Sequence, residues 1–374
     1  MSESARNPEV IIIGGGIQGC STAVHLGLKG VRALLIEKNY PGRHASGVNA
    51  GGVSRIGRFP SELPLSALSL EIWHDMESLV DDDCGFISNG RMKIAENEAE
   101  MEKLRERFNT VRALGHEHEQ LIDQYELRQL EPDVAEHCVG GIYAPDCGHA
   151  NPFRTTTAFA RKARNLGQTI MEGVRVEKVS RAAGVWTVRT DAGEFQAPVL
   201  VNTAGAWGDR ISDQMGEEVP METIAPMLMV TARMPPIIRG VMGATDRILS
   251  IKQVPNGTII IGGGYRGTAD RDAETTVLDY KKLAYNAKIA TEMFPKLKGA
   301  RIVRSWAGIE GRMADAMPVI SPSKTEEACF HAFGFSAHGF NLGPAVGSVL
   351  SELITAGQSN IPIDAFSIDR FAKA

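Results

Sequence analysis

The segment Val10–Gly19 (VIIIGGGIQG) decides the fold. The apolar run Val10–Ile13 predicts a buried strand, and Gly14, Gly16 and Gly19 follow it at the G-x-G-x-x-G spacing that opens a helix in dinucleotide-binding units. The first glycine permits a tight turn, the second lets a pyrophosphate approach the backbone, and the third lets helix and strand pack closely. The start of the helix offers free N–H groups and the positive end of its dipole to phosphate.

An acidic residue at the end of the next apolar run strengthens this prediction. A helix is predicted over Gln18–Lys29, the run Arg32–Ile36 predicts the second strand, and Glu37 closes it. A carboxylate at this distance from the glycines accepts hydrogen bonds from both ribose hydroxyls and repels a 2′-phosphate, which argues against NADP. Together the motif and the acid favour a nucleotide-binding unit over a strand–turn–helix without a ligand.

Length and composition narrow the class of protein. The chain has 374 residues, which favours two domains, and a net charge of −5. It has no basic stripe typical of nucleic-acid binding and no apolar run near the ~20 residues that span a bilayer. Met1–Glu9 is polar, so we expect no signal peptide. The five cysteines are scattered without a C-x-x-C pair, which favours a cytoplasmic protein without a metal site or disulfide framework.

The pattern of elements predicts two interleaved domains. Apolar periodicity predicts helices over Leu65–Leu79, Glu96–Leu114, Asp123–Leu130, Arg154–Leu166, Asp279–Phe294 and Gly343–Ala356, the last with Pro344 in its first turn. Strands or strand meanders are predicted over Gly173–Gly184, Val185–Ala197, Val199–Asn202, Thr223–Ala232, Ile248–Gln253, Thr258–Gly262, Arg301–Ala307 and Cys329–Phe335. The predicted fold class is α/β, or two-domain α+β, with a Rossmann-like nucleotide domain and an antiparallel β-sheet substrate domain.

Two glycine-rich segments favour a flavin over a nicotinamide. Pro41–Val53 (PGRHASGVNAGGV) follows Glu37 where an NAD domain usually continues into another strand–helix unit. Its small residues can lie along an extended cofactor, although a flexible surface loop is the alternative. Gly334–Pro344 (GFSAHGFNLGP) brings a strand to a turn and a helix start. A helix N-terminus beside the flavin pyrimidine stabilises the negative charge of the reduced ring.

These segments together resemble the D-amino acid oxidase-like family of FAD enzymes. The resemblance covers nearly the whole chain. Besides the first glycine loop it rests on the motifs HASGVNAGGV (44–53), VNTAGAWG (201–208), WAGIEGRMADAMPVI (306–320) and HGFNLGPAVG (338–347). It implies a discontinuous FAD-binding domain of residues 8–80, 145–222 and 301–374, and a substrate domain of residues 81–144 and 223–300.

The resemblance also implies how FAD is held. Glu37 would bind the adenosine ribose, Val176 would meet adenine through its backbone, and the turn after His338 would close over the pyrimidine edge. The cofactor-binding residues implied by the motif and the resemblance are Gly14, Gly16, Ile17, Gln18, Gly19, Glu37, Lys38, Ser46, Asn49, Ala50, Gly51, Gly52, Val176, Ala204, Gly205, Trp207, Gly308, Gly339, Phe340, Asn341 and Leu342.

The chain departs from the family at the residue that binds the substrate carboxylate. Many members carry an arginine in a GLRP sequence, and Glu310 stands there in this chain. A carboxylate repels another carboxylate and favours a cation. Arg312 is expected to point elsewhere if the segment is a strand turn. The segment Ser54–Arg58 (SRIGR) resembles the TRIIR pattern of the sarcosine-oxidase-like members, which implies that Arg58 holds the carboxylate and that Arg55 lies near the flavin. Both arginines could alternatively be solvated.

Two further departures concern the flavin. Sarcosine-type oxidases attach FAD through a cysteine where this chain has Gly308, so we expect noncovalent FAD. They also place a lysine over the flavin to activate oxygen, and the matching strand Thr258–Ile261 has none. This difference favours a dehydrogenase that passes electrons to another acceptor.

Three more side chains are candidates for the active site, each with an alternative. His338 would face the flavin or substrate, or serve as a structural turn histidine. Glu310 would anchor an ammonium or hydroxyl, or pair with Arg312 or Arg304. Tyr265 follows three glycines and would line the pocket, or lie in the core or at the surface.

The predicted function is FAD-dependent oxidation of the C–N bond of a small amino or imino acid, with D-proline or 4-hydroxy-D-proline as the preferred type. The electron acceptor would be oxygen, an acceptor protein or a quinone. The alternative is a flavoprotein subunit of a larger opine or sarcosine dehydrogenase-type complex, and an oligomer is possible in either case. A nicotinamide-linked dehydrogenase or nucleotide-binding regulator is disfavoured by Pro41–Val53.

Overall fold

The computed structural model describes residues 7–372. Its strands, in chain order, are β1 (Val10–Ile13), β2 (Ala33–Glu37), β3 (Gly52–Val53), β4 (Arg91–Ala95), β5 (Gln120–Asp123), β6 (Gly140–Ala144), β7 (Gly148–His149), β8 (Thr169–Glu172), β9 (Val176–Ala182), β10 (Val185–Thr190), β11 (Gly193–Ala197), β12 (Val199–Asn202), β13 (Met221–Thr231), β14 (Val241–Ala244), β15 (Ser250–Gln253), β16 (Ile259–Gly262), β17 (Arg266–Asp270), β18 (Thr275–Val277), β19 (Ile302–Ala307), β20 (Glu310–Met313), β21 (Val319–Pro322) and β22 (Cys329–Phe333). Its α-helices are α1 (Ile17–Leu28), α2 (Ala45–Val48), α3 (Leu63–His74), α4 (Met76–Val80), α5 (Glu98–Ala113), α6 (Gln124–Leu130), α7 (Pro152–Asn165), α8 (Gly208–Ser212), α9 (Tyr280–Met293) and α10 (Gly339–Ala356).

A six-stranded sheet forms the centre of the nucleotide-binding part. Its order is β21-β22-β12-β1-β2-β8, parallel except for β21 at one edge. All four residues of β1 are buried because both faces of the sheet are covered. Ile12 and its neighbours on that face pack with helices α1 and α10, whereas Ile11 and Ile13 pack against the small antiparallel sheet β9–β11. The predicted strand–helix–strand unit is therefore present, with α1 beginning one residue earlier than predicted.

A second, larger sheet carries the antiparallel strands. Its path is β18-β17-β13-β16-β15-β14-β4-β6-β5, and β19 and β20 also pair with the long strand β13. Met227 and Met229 on β13 pack with helix α9 in a separate core. Pro226 and Leu228, which alternate with them, line the cleft described below. One face of this sheet is thus covered by a helix and the other faces the nucleotide-binding part.

The predicted domain boundaries stay a prediction. Strand pairing shows which strands connect the two predicted domains. Strands β4–β6 and β13–β18 belong to the larger sheet and fall within the predicted substrate domain, apart from the first two residues of β13. Strands β19 and β20 fall within the predicted FAD-binding domain, yet they hydrogen-bond to β13. Residues 302–313 therefore join the two parts of the chain.

Two predicted helices have different bounds. The helix predicted over Leu65–Leu79 is interrupted at Asp75, whose N–H bonds Ile72 three residues back, so the chain turns between α3 and α4. The final helix begins at Gly339 instead of Gly343, so Pro344 lies beyond its first turn. The carbonyl of Pro344 accepts a hydrogen bond from Ser21 Oγ (3.1 Å), which fixes this part of α10 against α1.

Within residues 7–372, no helix has both the length and the apolar character needed to cross a bilayer. Residues 1–6, most of the segment Met1–Glu9 on which the signal-peptide prediction rests, lie outside the described range.

Candidate active site

A cleft of about 910 Å³ lies between the two large sheets. The carboxyl ends of β1, β2 and β12 open into it from one side, as expected for ligand binding at the edge of a parallel sheet. Strands β4, β13 and β14 face it from the other side. Nearly all the predicted cofactor-binding residues line this cleft. Those that do not line it are Ile17, Gly19, Asn341 and Leu342.

The first glycine loop has the close approaches that its spacing predicts. Gly14 has φ +105°, and a Cβ there would lie 2.4 Å from the carbonyl oxygen of Thr203. A Cβ on Gly19 would lie 2.0 Å from the carbonyl oxygen of Gly14, so helix α1 can pack here only without a side chain. Gly16 caps α1, and the hydroxyl of Ser46 accepts from the N–H of Ile17 (3.0 Å). Gly19 and Ile17 therefore support the loop without lining the cleft.

Glu37 is the acidic residue at the tip of β2. It is buried, and its two carboxylate oxygens accept from the backbone N–H groups of Gly15 (2.7 Å) and Asn39 (2.8 Å). Burial raises the pKa of Glu37, and the two hydrogen bonds oppose that shift. Each carboxylate oxygen keeps a second lone pair, so the side chain can also accept from two hydroxyls in the cleft.

A loop from the larger sheet closes over this end of the cleft. Glu274, between β17 and β18, accepts from Asn39 (2.7 Å), Lys38 (3.0 Å) and Arg175 (2.8 Å), and lies 3.1 Å from His44 Nε2. Burial alone would raise the pKa of Glu274, but these partners lower it to about 2.

The same loop is held at a second point beside Trp207. The Nζ atom of Lys38 stacks on the Trp207 ring, and the indole N–H of Trp207 donates to the carbonyl of Arg271 (3.0 Å). Arg271 in turn bonds Asp209 (2.7 Å). Sequence reasoning found Lys38 and Trp207 but missed Glu274, because no local pattern marks a loop residue that reaches another domain.

The small-residue segment after Glu37 forms a compact turn. Asn49 bonds within the segment: its amide nitrogen donates to the carbonyls of Ala45 and Ser46, and its amide oxygen accepts from the N–H of Gly51 (2.7 Å). Gly51 has φ +70°, and a Cβ there would lie 2.2 Å from the carbonyl oxygen of Ala150. Gly308 packs against Val48, which a Cβ on Gly308 would approach to 2.6 Å. The amide of Asn49 is thus used to shape the turn.

The start of α10 borders the far end of the cleft. Gly339 and Phe340 line it, and the carbonyl of Gly339 accepts from Gln18 Nε2 (2.8 Å). Asn341 lies behind: its side-chain oxygen accepts from the N–H of Ser54 (2.9 Å), and its carbonyl from Trp73 Nε1 (2.9 Å). Asn341 therefore fixes α10 to the residues that follow the turn at Gly51 and Gly52. Leu342 is a core residue.

Arg58, Glu310 and His338, three of the four side chains predicted for the chemistry, line this end of the cleft. Arg58 is buried, donates from Nε to the carbonyl of Ser54 (2.9 Å), and has its pKa lowered by burial to about 10. Glu310 accepts from the N–H of Ala337, and burial raises its pKa. Burial and the charge of Arg58 lower the pKa of His338, whose Nδ1 lies 2.8 Å from Glu62.

Two predictions at this end need correction. Tyr265 does not line the cleft, because its ring packs edge-on against the exposed Tyr285 (centroids 6.0 Å apart) beside the core under α9. Arg312 was expected to point away from Glu310, but residues 310–313 form strand β20. Residues two apart on a strand share a face, and both side chains line the cleft.

Sequence reasoning missed four more charged residues at this end. Glu62 is fully buried against His338. Arg91 and Lys93 reach the cleft from β4. Lys252 on β15 is buried, and its Nζ lies 3.0 Å from where a Cβ of Gly51 would stand. The pattern of one apolar strand or helix cannot indicate which distant turn it meets.

The FAD dependent oxidoreductase family model, DAO, matches residues 9–353. The chain belongs to this family. Glycine oxidase from Geobacillus kaustophilus (strain HTA426) is 24% identical over 370 residues, covering 97% of each chain. Sarcosine oxidase subunit beta from Rhizobium meliloti (strain 1021) is 26% identical over 376 residues, covering 98% of this chain and 88% of that protein. The crystal structure of L-proline dehydrogenase from P. horikoshii has a TM-score of 0.91 and 25% identity, covering 98% of both chains.

This membership confirms the predicted family, the fold class and the FAD cofactor, and the cleft of this oxidoreductase fits the cofactor. The open N-terminus of α1 and the tight turn at Gly14 make a cradle for a pyrophosphate, and any side chain at Gly14 would disrupt this turn by meeting the backbone of Thr203. Glu37 supplies ribose acceptors at one end, and the small-residue turn at Gly51 and Gly52 leaves room for a flat ring at the other. Noncovalent attachment, expected from Gly308, stays a prediction.

Proposed function

We propose that this oxidoreductase oxidises the C–N bond of a small amino or imino acid, with a D-proline or 4-hydroxy-D-proline-like cyclic imino acid as the preferred type. The observation that carries the proposal is the distribution of side chains along one cleft. A dinucleotide cradle occupies one end, and Arg58, Glu310 and His338 line the other. Relatives named glycine oxidase and L-proline dehydrogenase support the same class of substrate.

Bound FAD supplies the hydride acceptor at N5 of its flavin ring. In the substrate, the C–H bond beside nitrogen breaks and its electron pair leaves as hydride, while the nitrogen lone pair forms the C=N bond. Loss of the remaining proton on nitrogen gives the imine, which water hydrolyses if the product is not a stable ring. The two electrons removed from the substrate would finally pass to oxygen, an acceptor protein or a quinone.

The residues at the substrate end have separate tasks in this proposal. Arg58 pairs with the substrate carboxylate, since it lines the cleft, its Nε is already held by Ser54, and it forms no ion pair within residues 7–372. Glu310 accepts a hydrogen bond from the substrate nitrogen or a ring hydroxyl. Burial raises its pKa and so favours the neutral acid, and a cationic group of the substrate would offset this effect. His338, held by Glu62, fixes the turn before α10, whose positive dipole end faces the cleft.

An anaerobic substrate screen tests this proposal. Purified protein with bound FAD is mixed with D- and L-amino acids, cyclic imino acids, N-methyl amino acids and opines, and bleaching of the flavin absorbance is followed. We expect bleaching by cyclic imino acids and an apparent affinity that falls about 100-fold in Arg58→Gln, since a charged hydrogen bond contributes ~2–3 kcal/mol. A flavin that no amine or imino acid reduces, or an Arg58→Gln protein of unchanged affinity, would contradict the proposal.

The second candidate is a flavoprotein subunit of a larger complex. Similarity to a protein named sarcosine oxidase subunit beta favours it. In that case the isolated chain oxidises substrate slowly and passes electrons to partner subunits. Gel filtration combined with a dye-reduction assay separates the two candidates, because full activity in the single-chain fraction rules against an obligatory partner.

A further inference from the structure

Strand β4 delivers two cationic side chains to the substrate end of the cleft. Arg91 and Lys93 are two residues apart, so they share one face of the strand, and both line the cleft. Met92 and Ile94 alternate with them and are buried in the core under α9. The strand therefore has a clear inner and outer face, and its polar face is directed at the site.

Arg91 has no acidic partner within residues 7–372. Its guanidinium forms no ion pair or side-chain hydrogen bond there. Two other partly buried arginines are paired, Arg107 with Glu119 (2.8 Å) and Arg247 with Glu96 (2.5 Å), whereas Arg58 at the same end of the cleft also forms no ion pair within residues 7–372. Arg91 is half-buried and lines the cleft, so a ligand in the cleft could supply its counter-charge.

Arg91 lies close to the turn at Gly51 and Gly52. A Cβ on Gly52 would lie 3.4 Å from its Nη1 atom, and a Cβ on Gly243 would lie 3.9 Å from Nη2. Its charge is also felt by Arg58, Lys93 and Lys252, since each has its pKa lowered in part by Arg91. These four cations surround the end of the cleft where the proposed function puts the substrate.

Of the acids near these cations, Glu62 and Asp246 are engaged by other partners, whereas Glu310 accepts from the N–H of Ala337 and forms no ion pair within residues 7–372. Glu62 lies against His338 (2.8 Å) and near Arg58. Asp246, which acts on Lys93, is ion-paired with Lys103 (2.6 Å). Positive charge thus exceeds negative charge at this end, which suits an anionic ligand.

We infer that Arg91 and Lys93 form a carboxylate-binding subsite that holds the substrate acid group together with Arg58. The identity of the anion rests on the proposed function. The site itself rests on the positions of Arg91 and Lys93 on β4. A guanidinium presents paired N–H donors that match a carboxylate, whereas the Lys93 ammonium adds a point charge. Amines without a carboxylate are then poor ligands even when they fit the cleft.

Binding of a non-oxidisable ligand tests the subsite. Pyrrole-2-carboxylate is titrated into the FAD-loaded protein by calorimetry, with pyrrole as the ligand lacking the acid. We expect binding of pyrrole-2-carboxylate only, weakened 10- to 100-fold in Arg91→Gln, less in Arg91→Lys, and about 3-fold in Lys93→Gln. Arg105→Gln is the matched control, because Arg105 is paired with Glu102 on the surface of α5. Unchanged affinity in Arg91→Gln overturns the inference.

Stability and kinetics separate this role from a structural one. Because Arg91 is half-buried and without an ion pair, Arg91→Gln without ligand is expected to melt at the same temperature as wild type or higher, with its FAD retained. Pyrrole-2-carboxylate raises the melting temperature of wild type only. With an oxidisable substrate, Arg91→Gln raises KM more than it lowers kcat. If substrates bleach the flavin and pyrrole-2-carboxylate binds wild type and Arg91→Gln equally, the subsite fails and the proposed function stands. If the acid binds through Arg91 but no amine reduces the flavin, the proposed function fails instead.

Discussion

His338 Nδ1 lies 2.8 Å from Oε1 of Glu62, and Glu62 is completely buried. Burial alone would raise the pKa of Glu62, but the histidine and the nearby Arg58 lower it. The carboxylate therefore stays charged and orients the His338 ring at the start of α10. The pair joins α3, whose first residue follows Glu62, to the turn that borders the flavin end of the cleft.

Substituting Glu62→Gln should destabilise the protein and change its pH profile. The substitution removes the charge that faces Arg58 and His338, so we expect the free energy of unfolding to fall by about 2 kcal/mol. It also removes the group that favours protonated His338, so any acidic limb of the flavin-reduction rate shifts to lower pH. Urea unfolding and a pH series of anaerobic reduction check both effects. Glu71→Gln, at an exposed site on α3, serves as the control and should match wild type.

The Glu274 cluster should hold FAD in place. Glu274→Gln weakens the contacts to Lys38, His44 and Arg175, so the loop between β17 and β18 opens more often and FAD dissociates at least 10-fold faster. Dissociation is measured by the recovery of flavin fluorescence after dilution. Glu327→Gln, which removes an exposed partner of Arg181, should leave the rate unchanged.

The same carboxylate predicts a loss of stability in acid. The folded-state pKa of Glu274, about 2, lies below its ordinary value of 4.5. Its contribution is therefore complete above about pH 4.5 and is lost as pH falls toward 2. Burial lowers the pKa of Lys38, and that of His44 to about 4, in spite of the shared carboxylate, so we expect a net contribution of only ~2 kcal/mol. Acid unfolding of Glu274→Gln should begin nearer neutrality and show a shallower pH dependence. Identical acid curves for the two proteins would disprove this assignment.

Gly14→Ala should abolish FAD binding. The new Cβ would lie 2.4 Å from the carbonyl oxygen of Thr203. Because both groups belong to the backbone, neither can shift without disturbing the sheet, so we expect less than a tenth of the wild-type flavin-to-protein absorbance ratio. Gly184→Ala is a matched control: its φ is +82°, but nothing lies within 4 Å of the added atom. That change should cost about 1 kcal/mol of stability from backbone strain alone and leave FAD content unchanged. Full FAD occupancy in Gly14→Ala would rule out the proposed pyrophosphate cradle.

Lys252 should make the protein less stable at neutral pH than at alkaline pH. Burial and the charge of Arg91 lower its pKa from 10.5 to about 7. The unfolded chain therefore binds a proton more tightly, so this group destabilises the folded state most below pH 7, and the penalty fades as pH rises toward 10.5. We expect Lys252→Met to raise the free energy of unfolding by about 2 kcal/mol at pH 7 and by less at pH 9.5. Urea titrations at both pH values measure this, with the exposed Lys298→Met as a control. A Lys252→Met protein that is less stable at pH 7 would contradict it.

Most of the nucleotide-binding part could be predicted from patterns among residues that are close in sequence. The spacing of Gly14, Gly16 and Gly19 and the acid at Glu37 lie within one strand–helix–strand unit, where steric limits act between near neighbours in sequence. These features are determined locally, so the sequence alone predicted them correctly.

The substrate end was decided by tertiary structure. Arg91 and Lys252 belong to strands of the larger sheet and meet the turn at Gly51 and Gly52 only in the folded protein. At the opposite end of the cleft, Glu274 contacts Asn39, which is 235 positions away in sequence. The sequence left Tyr265 either in the pocket or in the core or at the surface, because its place after three glycines says nothing about the side on which its ring packs. Backbone sterics act over a few residues and can be read along the chain, whereas charge complementarity acts through space and is fixed only when the two sheets face each other.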